Sequence, residues 1–143
     1  MNVAIVVAAG QGTRMGGGNE AKQFRLLAGL PVIIHTLRCF EAAATIGEVI
    51  AVVPSQTRAE FLTIASKHGL RKLARVVGGG GTRAESVWRG LQTVRAATAQ
   101  IVAVHDGVRP FVTPEEIDAC VRAADENQTA VPILRARAVQ VPP

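Results

Sequence analysis

The chain has 143 residues, 48% hydrophobic and 19% charged, so we expect a single domain over residues 1–143 with a packed core rather than a disordered chain. Sixteen basic residues, thirteen of them Arg, against eleven acidic ones give a net charge of +5, which suits partners that carry phosphate. Four Phe, one Trp and no Tyr offer little for stacking nucleic-acid bases, and no apolar run approaches the roughly 18 residues of a membrane span. We therefore expect neither nucleic-acid binding nor membrane insertion.

The first apolar run, Val3 to Ala9, has no basic flank before it and leads into glycine-rich sequence. This pattern is typical of a buried strand rather than of a secretory signal peptide. The two cysteines, Cys39 and Cys120, lie on predicted helix faces. Without a secretory segment they indicate a reducing compartment, so we expect a cytoplasmic protein in which both are small buried hydrophobic side chains.

Apolar periodicity predicts five strands that alternate with helical segments. The predicted strands lie at residues 2–9, 48–53, 73–77, 101–104 and 130–134, and the predicted helices follow Pro31, span Thr57 to His68, and begin after Thr82 and Thr113. Both threonines are followed three residues later by Glu, which is the pattern of a capping box. The alternation implies an α/β fold in which right-handed crossovers build an open, mostly parallel sheet with helices on both sides.

The same periodicity predicts which helical side chains face the core. The inward residues are expected to be Phe61, Leu62 and Ile64 or Ala65 in the second helix, Val87, Leu91 and Val94 in the third, and Ile117, Cys120, Val121 and Ala124 in the fourth. Trp88 is most simply interpreted as packing in the core or at its rim.

Three unusual loops leave predicted strand ends, after Ala9, after Val77 and after His105. Ligands of open α/β sheets bind beyond the carboxyl ends of the strands. We therefore expect the three loops to converge on one site.

The first loop combines glycines, which let the backbone N–H groups turn toward an anion, with basic side chains that add positive charge to the same concavity. These residues are Gly10, Gly12, Arg14 and Lys22. The loop departs from a dinucleotide-binding fingerprint at Met15, where glycine is needed, and from a Walker loop because Gln23 follows the lysine. Taken alone, a glycine-rich turn with solvated charges is the stronger interpretation.

The second loop, 78–81, is four glycines before a helix N-terminus, where a base or ribose could be read by main-chain groups and by the Ser86 hydroxyl. Taken alone, a flexible tether with a good cap is the stronger interpretation of this loop. The third loop places Asp106 at a strand end beside Gly107. This carboxylate suits Mg²⁺, and an Asp–Arg pair that braces the loop is the alternative. His105 is interpreted as a packing residue rather than a base.

Three motifs follow one another along the chain. They are Ala8-Ala9-Gly10-x-Gly12-x-Arg14-Met15-Gly16 with Lys22-Gln23-Phe24, then Gly79-Gly80-x-x-Arg83-x-x-Ser86-Val87, then His105-Asp106-Gly107-x-Arg109-Pro110-Phe111. Together they resemble the 2-C-methyl-D-erythritol 4-phosphate cytidylyltransferase family. The broader class of nucleotidyltransferases that activate small phosphates or sugars shares only the first motif, so the resemblance is specific.

The resemblance implies a three-layer αβα, Rossmann-like nucleotidyltransferase fold and an enzyme of non-mevalonate isoprenoid biosynthesis. Methylerythritol phosphate would attack the α-phosphorus of CTP and release pyrophosphate. By the same resemblance Arg14 and Lys22 are catalytic, Asp106 binds Mg²⁺, and Gly107 and Arg109 bind the methylerythritol phosphate. The residues that would surround the nucleotide are Ala8, Ala9, Gly10, Gln11, Gly12, Gly80, Ala84 and Ser86.

The sequence departs from the family pattern at Ala21, where Pro is usual, at Val108, where Ala is commoner, and after Pro132. Family members continue there into an Asp-Thr motif, a dimerisation arm and further substrate-binding residues. We therefore expect a truncated product or natural remnant that lacks the homodimer contacts and a second metal-binding carboxylate. Two alternatives stay open: another small-molecule nucleotidyltransferase, and a catalytically impaired nucleotide-binding remnant.

Overall fold

Strands and helices alternate along the part of the chain that this computed structural model describes, residues 1–10 and 22–130. The strands are β1 Asn2–Val7, β2 Leu26–Leu27, β3 Leu30–Pro31, β4 Ile46–Val53, β5 Leu73–Gly78 and β6 Val102–Asp106. The helices are α1 Val32–Ala42, α2 Arg58–Ala65, α3 Arg83–Leu91 and α4 Pro114–Asn127, with 3-10 turns at Lys22–Phe24 and Ser55–Thr57. No helix in these two described ranges is long and apolar enough to cross a bilayer.

Four strands form one parallel sheet in the order β5-β4-β1-β6, and β2 and β3 form a separate antiparallel hairpin. In register, Val7 of β1 lies opposite Val52 on one side and Asp106 on the other, and Val53 lies opposite Gly78. The carboxyl ends of all four strands therefore meet at one edge. This confirms the predicted α/β class and parallel sheet. The strand predicted at 130–134 lies, beyond its first residue, outside the described residues.

The helices cover both faces of the sheet. On one face α1, α2 and α4 bury side chains such as Phe40, Phe61 and Ile117 against the even-numbered residues of β1. On the other face the odd-numbered residues of β1 form a second cluster, against which Val87 of α3 packs. Alternating side chains of one buried strand therefore serve two cores, which is why β1 reads as an uninterrupted apolar run.

Two helical faces differ from the prediction. In α2, Phe61 and Ala65 are buried one turn apart, so Leu62 points away from the sheet and is 45% exposed. Residues Ser55–Thr57 form a 3-10 turn and α2 ends at Ala65, three residues before His68. The prediction that Leu62 faces inward was wrong because the helix turns its 61/65 row and the half-buried Ile64 toward the core, which leaves Leu62 on the outer side.

In α3 the buried residues are Ser86 and Gly90 instead of Leu91. A Cβ on Gly90 would lie 2.8 Å from Cγ2 of Ile5, so the helix backbone approaches the sheet along a row of small side chains. Its large side chains are displaced outward: Leu91 is 36% and Trp88 59% exposed, which corrects both predictions.

The two cysteines and the last helix match the prediction in part. Ile117 and Val121 of α4 are buried, whereas Cys120 is half-buried. Cys39 is half-buried as well, and desolvation raises the pKa of its thiol, with a backbone hydrogen bond acting in the opposite direction. The reciprocal capping box predicted at Thr113 is present, with Pro at the start of the helix.

Candidate functional site

A crevice of about 460 Å³ opens at the carboxyl ends of the strands. Its lining residues come from all three loops and from the turn after the first loop: Val7, Ala8, Ala9, Gly10, Lys22, Gln23, Gly80, Gly81, Thr82, Arg83, Ser86, Asp106 and Val108. The structure thus brings together seven of the residues singled out in the sequence, namely Ala8, Ala9, Gly10, Lys22, Gly80, Ser86 and Asp106. Gln11, Gly12 and Arg14 lie outside the described residues.

A larger hollow of about 660 Å³ lies at the β5 edge of the sheet, against α2. Its charged side chains are already engaged: Arg58 Nε donates to the Val76 carbonyl at 2.7 Å, and Arg75 forms an ion pair with Glu48. Most of the other lining side chains are aliphatic or small. The hollow therefore offers fewer uncommitted polar and charged groups for ligand binding than the crevice at the strand ends.

The first and second loops touch through two small residues. The Ala8 N–H donates to the Val52 carbonyl at 2.7 Å, and the Gly79 N–H donates to the Val53 carbonyl at 2.7 Å. A Cβ built on Gly79 would lie only 2.1 Å from the Cβ of Ala9. Glycine is needed here because the two loop backbones approach too closely for any side chain.

Ser86 shapes the second loop from within. Its hydroxyl accepts a hydrogen bond from the Gly80 N–H at 3.1 Å and donates to the Thr82 carbonyl at 2.9 Å, and the residue is 1% exposed. Contact of this hydroxyl with a base or ribose stays a prediction. Ala84 is exposed and is not among the residues that line the crevice.

The cap of α3 is only half of the predicted capping box. Thr82 Oγ1 accepts a hydrogen bond from the Glu85 N–H at 3.1 Å. The Glu85 carboxylate does not return to the Thr82 N–H; it accepts from the Gly81 N–H at 2.9 Å and pairs with Arg89 at 2.7 Å. These contacts lower the pKa of Glu85, with the Gly81 hydrogen bond as the largest cause. The Glu85 carboxylate thus holds the glycine run in place through its hydrogen bond from Gly81.

The third loop packs against the first. The Gly107 N–H donates to the Val7 carbonyl at 2.8 Å, and the Gly107 carbonyl accepts a hydrogen bond from the Thr36 hydroxyl at 2.7 Å. A Cβ on Gly107 would lie 2.7 Å from the Cβ of Ala8. Binding of a second substrate by Gly107 and Arg109, neither of which lines the crevice, stays a prediction.

Asp106 is held by two arginines. Arg83 donates from Nε at 3.1 Å and from Nη2 at 2.9 Å to Oδ1, and Arg109 donates from Nε at 3.1 Å to Oδ2. Partial burial by itself would raise the pKa of Asp106, but the hydrogen bonds and charges of Arg83 and then Arg109 outweigh it and lower that pKa. The Asp–Arg pair that the sequence suggested as the alternative interpretation of this loop is therefore present, and it includes a second arginine.

We expect Arg83→Gln to raise the pKa of Asp106 toward its ordinary value. Because the folded-state pKa lies below the unfolded-state value, the stability due to this ionisation is complete above the unfolded pKa and is lost as pH falls through the folded pKa. In the variant the folded-state and unfolded-state pKa values lie closer together, so this carboxyl accounts for a smaller loss of stability in acid. Carbon-13 NMR titration of the Asp106 carboxyl measures the shift, with Arg95→Gln, an exposed arginine beyond α3, as control. An unchanged titration would mean that Arg83 does not stabilise the carboxylate.

Among residues 1–10 and 22–130, no cluster of three or more His, Cys, Asp or Glu side chains is placed to hold a metal ion. One carboxylate, that of Asp106, lines the crevice and fits a mode in which Mg²⁺ takes one or two protein carboxylates together with water and substrate phosphates. Asp106 fits that mode provided that one guanidinium is exchanged for the cation.

Two long polar side chains of the crevice, those of Arg83 and Gln23, were not assigned a role from the sequence. Arg83 stands in the second motif, but its partner Asp106 is 23 positions away, so only folding reveals the pair. Gln23 follows Lys22 in the first motif and is almost wholly buried in the crevice wall. The signal that could have found both is their place within motifs that carry glycine and charge.

Comparison with known proteins identifies relatives for nearly the whole chain. Residues 2–139 match the sequence model of the family described as IspD, 2-C-methyl-D-erythritol 4-phosphate cytidylyltransferase. The cytidylyltransferase of that name from Pelotomaculum thermopropionicum is 45% identical over 122 residues, which cover 85% of this chain and 50% of the relative. The one from Bacillus cytotoxicus is 39% identical over 131 residues, covering 92% of this chain and 57% of the relative.

Solved structures agree with the sequence relatives. The crystal structure of 4-diphosphocytidyl-2C-methyl-D-erythritol synthase from Anaerococcus prevotii superposes with a TM-score of 0.70 at 27% identity, over 85% of this chain and 49% of that one. The bifunctional IspDF from Campylobacter jejuni shares the fold, with a TM-score of 0.68 at 21% identity, over 88% of this chain and 31% of that one. This chain spans about half the length of the curated cytidylyltransferases it matches. It belongs to the 2-C-methyl-D-erythritol 4-phosphate cytidylyltransferase family.

Proposed function

We propose that the chain carries the nucleotide-binding and transfer site of a 2-C-methyl-D-erythritol 4-phosphate cytidylyltransferase in non-mevalonate isoprenoid biosynthesis. A phosphate oxygen of methylerythritol phosphate attacks the α-phosphorus of CTP. A new P–O bond forms there, the bond from the α-phosphorus to the bridging oxygen breaks, and pyrophosphate leaves. The observation that supports this proposal is the crevice itself, which gathers the glycine loops, Lys22, Arg83 and Asp106 at one edge of the sheet.

The residues of the crevice suit this reaction because phosphoryl-type transfer depends on positioning and on stabilising negative charge, with little need for a covalent nucleophile. The backbone of residues 8–10 leads into the crevice from the central strand, and the glycine run faces it from the start of α3. The Lys22 ammonium supplies positive charge beside them. In the proposal Arg14, Gln11 and Gly12 of the first loop act with Lys22 on the triphosphate.

Mg²⁺ is proposed as cofactor. When bound, it would orient phosphate oxygens and neutralise their charge. Asp106 would hold it, and the ionised state that Arg83 and Arg109 maintain keeps this carboxylate ready to bind a cation. The exchange of one arginine for the cation would leave that guanidinium free for a phosphate oxygen, which it can bind with two N–H groups.

The methylerythritol phosphate is proposed to bind at the third loop, near Gly107 and Arg109. We place the reaction in the cytoplasm, since the two cysteines are free thiols. Homodimerisation is implied only by the family resemblance.

The direct test is pyrophosphate release by the 143-residue chain supplied with CTP, methylerythritol phosphate and Mg²⁺. We expect release that requires all three, and calorimetric titration should show CTP binding. Reactions with ATP, GTP and UTP in place of CTP test whether the reaction requires cytosine as the base. Turnover with another nucleotide instead of CTP would favour a different nucleotidyltransferase, and CTP binding without turnover would favour an impaired nucleotide-binding domain. Failure to bind CTP would contradict the proposal.

A further inference from the structure

We infer that Gln23 donates a hydrogen bond from its side-chain amide to a phosphate oxygen of the bound ligand. The inference rests on the proposed function and adds a binding residue to that site. Gln23 is the middle residue of the 3-10 turn Lys22–Phe24, is 2% exposed, and lines the crevice next to Lys22.

The amide nitrogen of Gln23 is buried without an acceptor. Its Nε2 finds no hydrogen-bond partner among the residues that the structure describes. Leaving a buried donor unpaired costs the free energy of desolvating it, and the great majority of buried polar groups in native proteins are paired. In the described ranges the other buried side-chain atom of this kind is Oδ1 of Asn2, at the opposite end of β1. The unpaired donor in the crevice is thus the one placed where a ligand can supply an acceptor.

The turn that presents Gln23 is held in place by contacts of the residues that follow it in the chain. The Phe24 ring packs against that of Phe61, with centroids 6.1 Å apart, and Phe24 also contacts the main core cluster. The Arg25 N–H donates to the Lys22 carbonyl at 3.2 Å, and the Val32 N–H donates to the Arg25 carbonyl at 2.9 Å. These contacts hold the turn against α1 and α2, so the backbone of Gln23 is fixed at the crevice wall, where its side chain is 2% exposed.

The surroundings indicate the kind of acceptor. Lys22 places an ammonium group next to the amide along the chain, and a donor beside a cation favours an anionic oxygen. Asp106, also in the crevice, already has both carboxylate oxygens occupied by Arg83 and Arg109. A phosphate oxygen entering with the ligand fits the unpaired donor. It can come from the triphosphate of CTP or from the phosphate ester of methylerythritol phosphate.

At position 23 we expect an apolar substitution to affect the stability of the free protein and its ligand binding in opposite directions. An apolar side chain of similar size removes the unpaired donor from the empty protein, which is neutral or stabilising. It also removes a hydrogen bond to a charged oxygen in the complex, which weakens binding. A glutamine that was paired inside the protein would show the reverse.

The test uses Gln23→Leu in the 143-residue chain, with Gln92→Leu, an exposed glutamine just after α3, as matched control. Thermal unfolding is measured without ligand, and calorimetry gives Kd for CTP, pyrophosphate, methylerythritol phosphate and cytidine. We expect an unchanged or higher unfolding midpoint and a roughly tenfold weaker Kd for at least one phosphate-bearing probe. Weakening for CTP and pyrophosphate identifies the triphosphate as the acceptor, and weakening confined to methylerythritol phosphate identifies its ester.

Two outcomes would overturn the inference while the proposed function stands. One is a Gln23→Leu variant that binds every phosphate-bearing probe with the Kd of the wild type, whatever its unfolding midpoint. The other is an equal weakening for cytidine, which carries no phosphate. Wild-type protein that binds none of the probes would overturn the proposed function and this inference together. Should Gln23→Leu fail to fold, the unbranched Gln23→Met variant is measured in the same way.

Discussion

Lys22→Met is expected to slow pyrophosphate release about 100-fold while weakening CTP binding by less than about tenfold. Removing one group that stabilises developing charge commonly costs about 3 kcal/mol in the transition state, which is two orders of magnitude in rate. Methionine keeps the apolar stem of the half-buried side chain and removes only the ammonium. Turnover with saturating substrates and calorimetric Kd values for CTP separate the two effects.

Lys67→Met is the matched control, because Lys67 is exposed after α2 and does not line the crevice. It should leave both turnover and binding unchanged. A Lys22→Met variant with normal turnover would remove this lysine from the catalytic role. Weaker CTP binding with normal turnover at saturating substrate would assign it to ground-state binding alone. Arg14→Ala carries the same expectation, from the family resemblance.

Gly79→Ala is expected to destabilise the fold by about 1–3 kcal/mol, as overpacking of a tight contact typically does. It should also abolish the rise in unfolding midpoint that CTP produces in the wild type. The added Cβ would lie 2.1 Å from that of Ala9 and 2.9 Å from the Ser86 hydroxyl, so the two loops must separate. The Gly79 backbone has little freedom to adjust, because its N–H donates to Val53 and its carbonyl accepts from Arg89 at 2.9 Å.

The contact itself can be tested by rescue. Ala9→Gly in the Gly79→Ala background removes the other Cβ and should restore part of the lost stability, whereas two independent sites would give additive losses. Gly81→Ala serves as control, since the nearest atom to its Cβ is Oε2 of Glu85 at 3.7 Å. A Gly79→Ala protein as stable as Gly81→Ala, or a double variant without recovery, would mean that the loops do not meet as described.

Local pattern was sufficient to predict the α/β class and the parallel sheet of this protein. The run Asn2–Val7 predicts a strand buried on both faces, and the alternation of such runs with helical periodicity predicts a parallel sheet, because neither signal depends on distant residues. The capping box at Thr113 was predictable for the same reason, since its partners are three residues apart.

Local pattern failed where neighbouring elements decide which side chain is buried. Leu62 and Leu91 fit the apolar rows of their helices, yet both are exposed. The helix α3 approaches the sheet through Ser86 and Gly90, and the close contact of Gly90 with Ile5 follows from the distance between two elements. Periodicity ranks residues by hydrophobicity and carries no information about that distance.

The candidate site divides in the same way. The sequence by itself determined which residue types stand at the candidate site, because glycine runs, Lys22 and a strand-end Asp106 are recognisable within short motifs. Only the tertiary structure decided their partners: Arg83 on Asp106, Glu85 on Gly81, and the unpaired amide of Gln23 in the crevice wall. Hydrogen bonds and desolvation act over a few ångströms in space, and parallel strands bring together loops that are tens of residues apart in the chain.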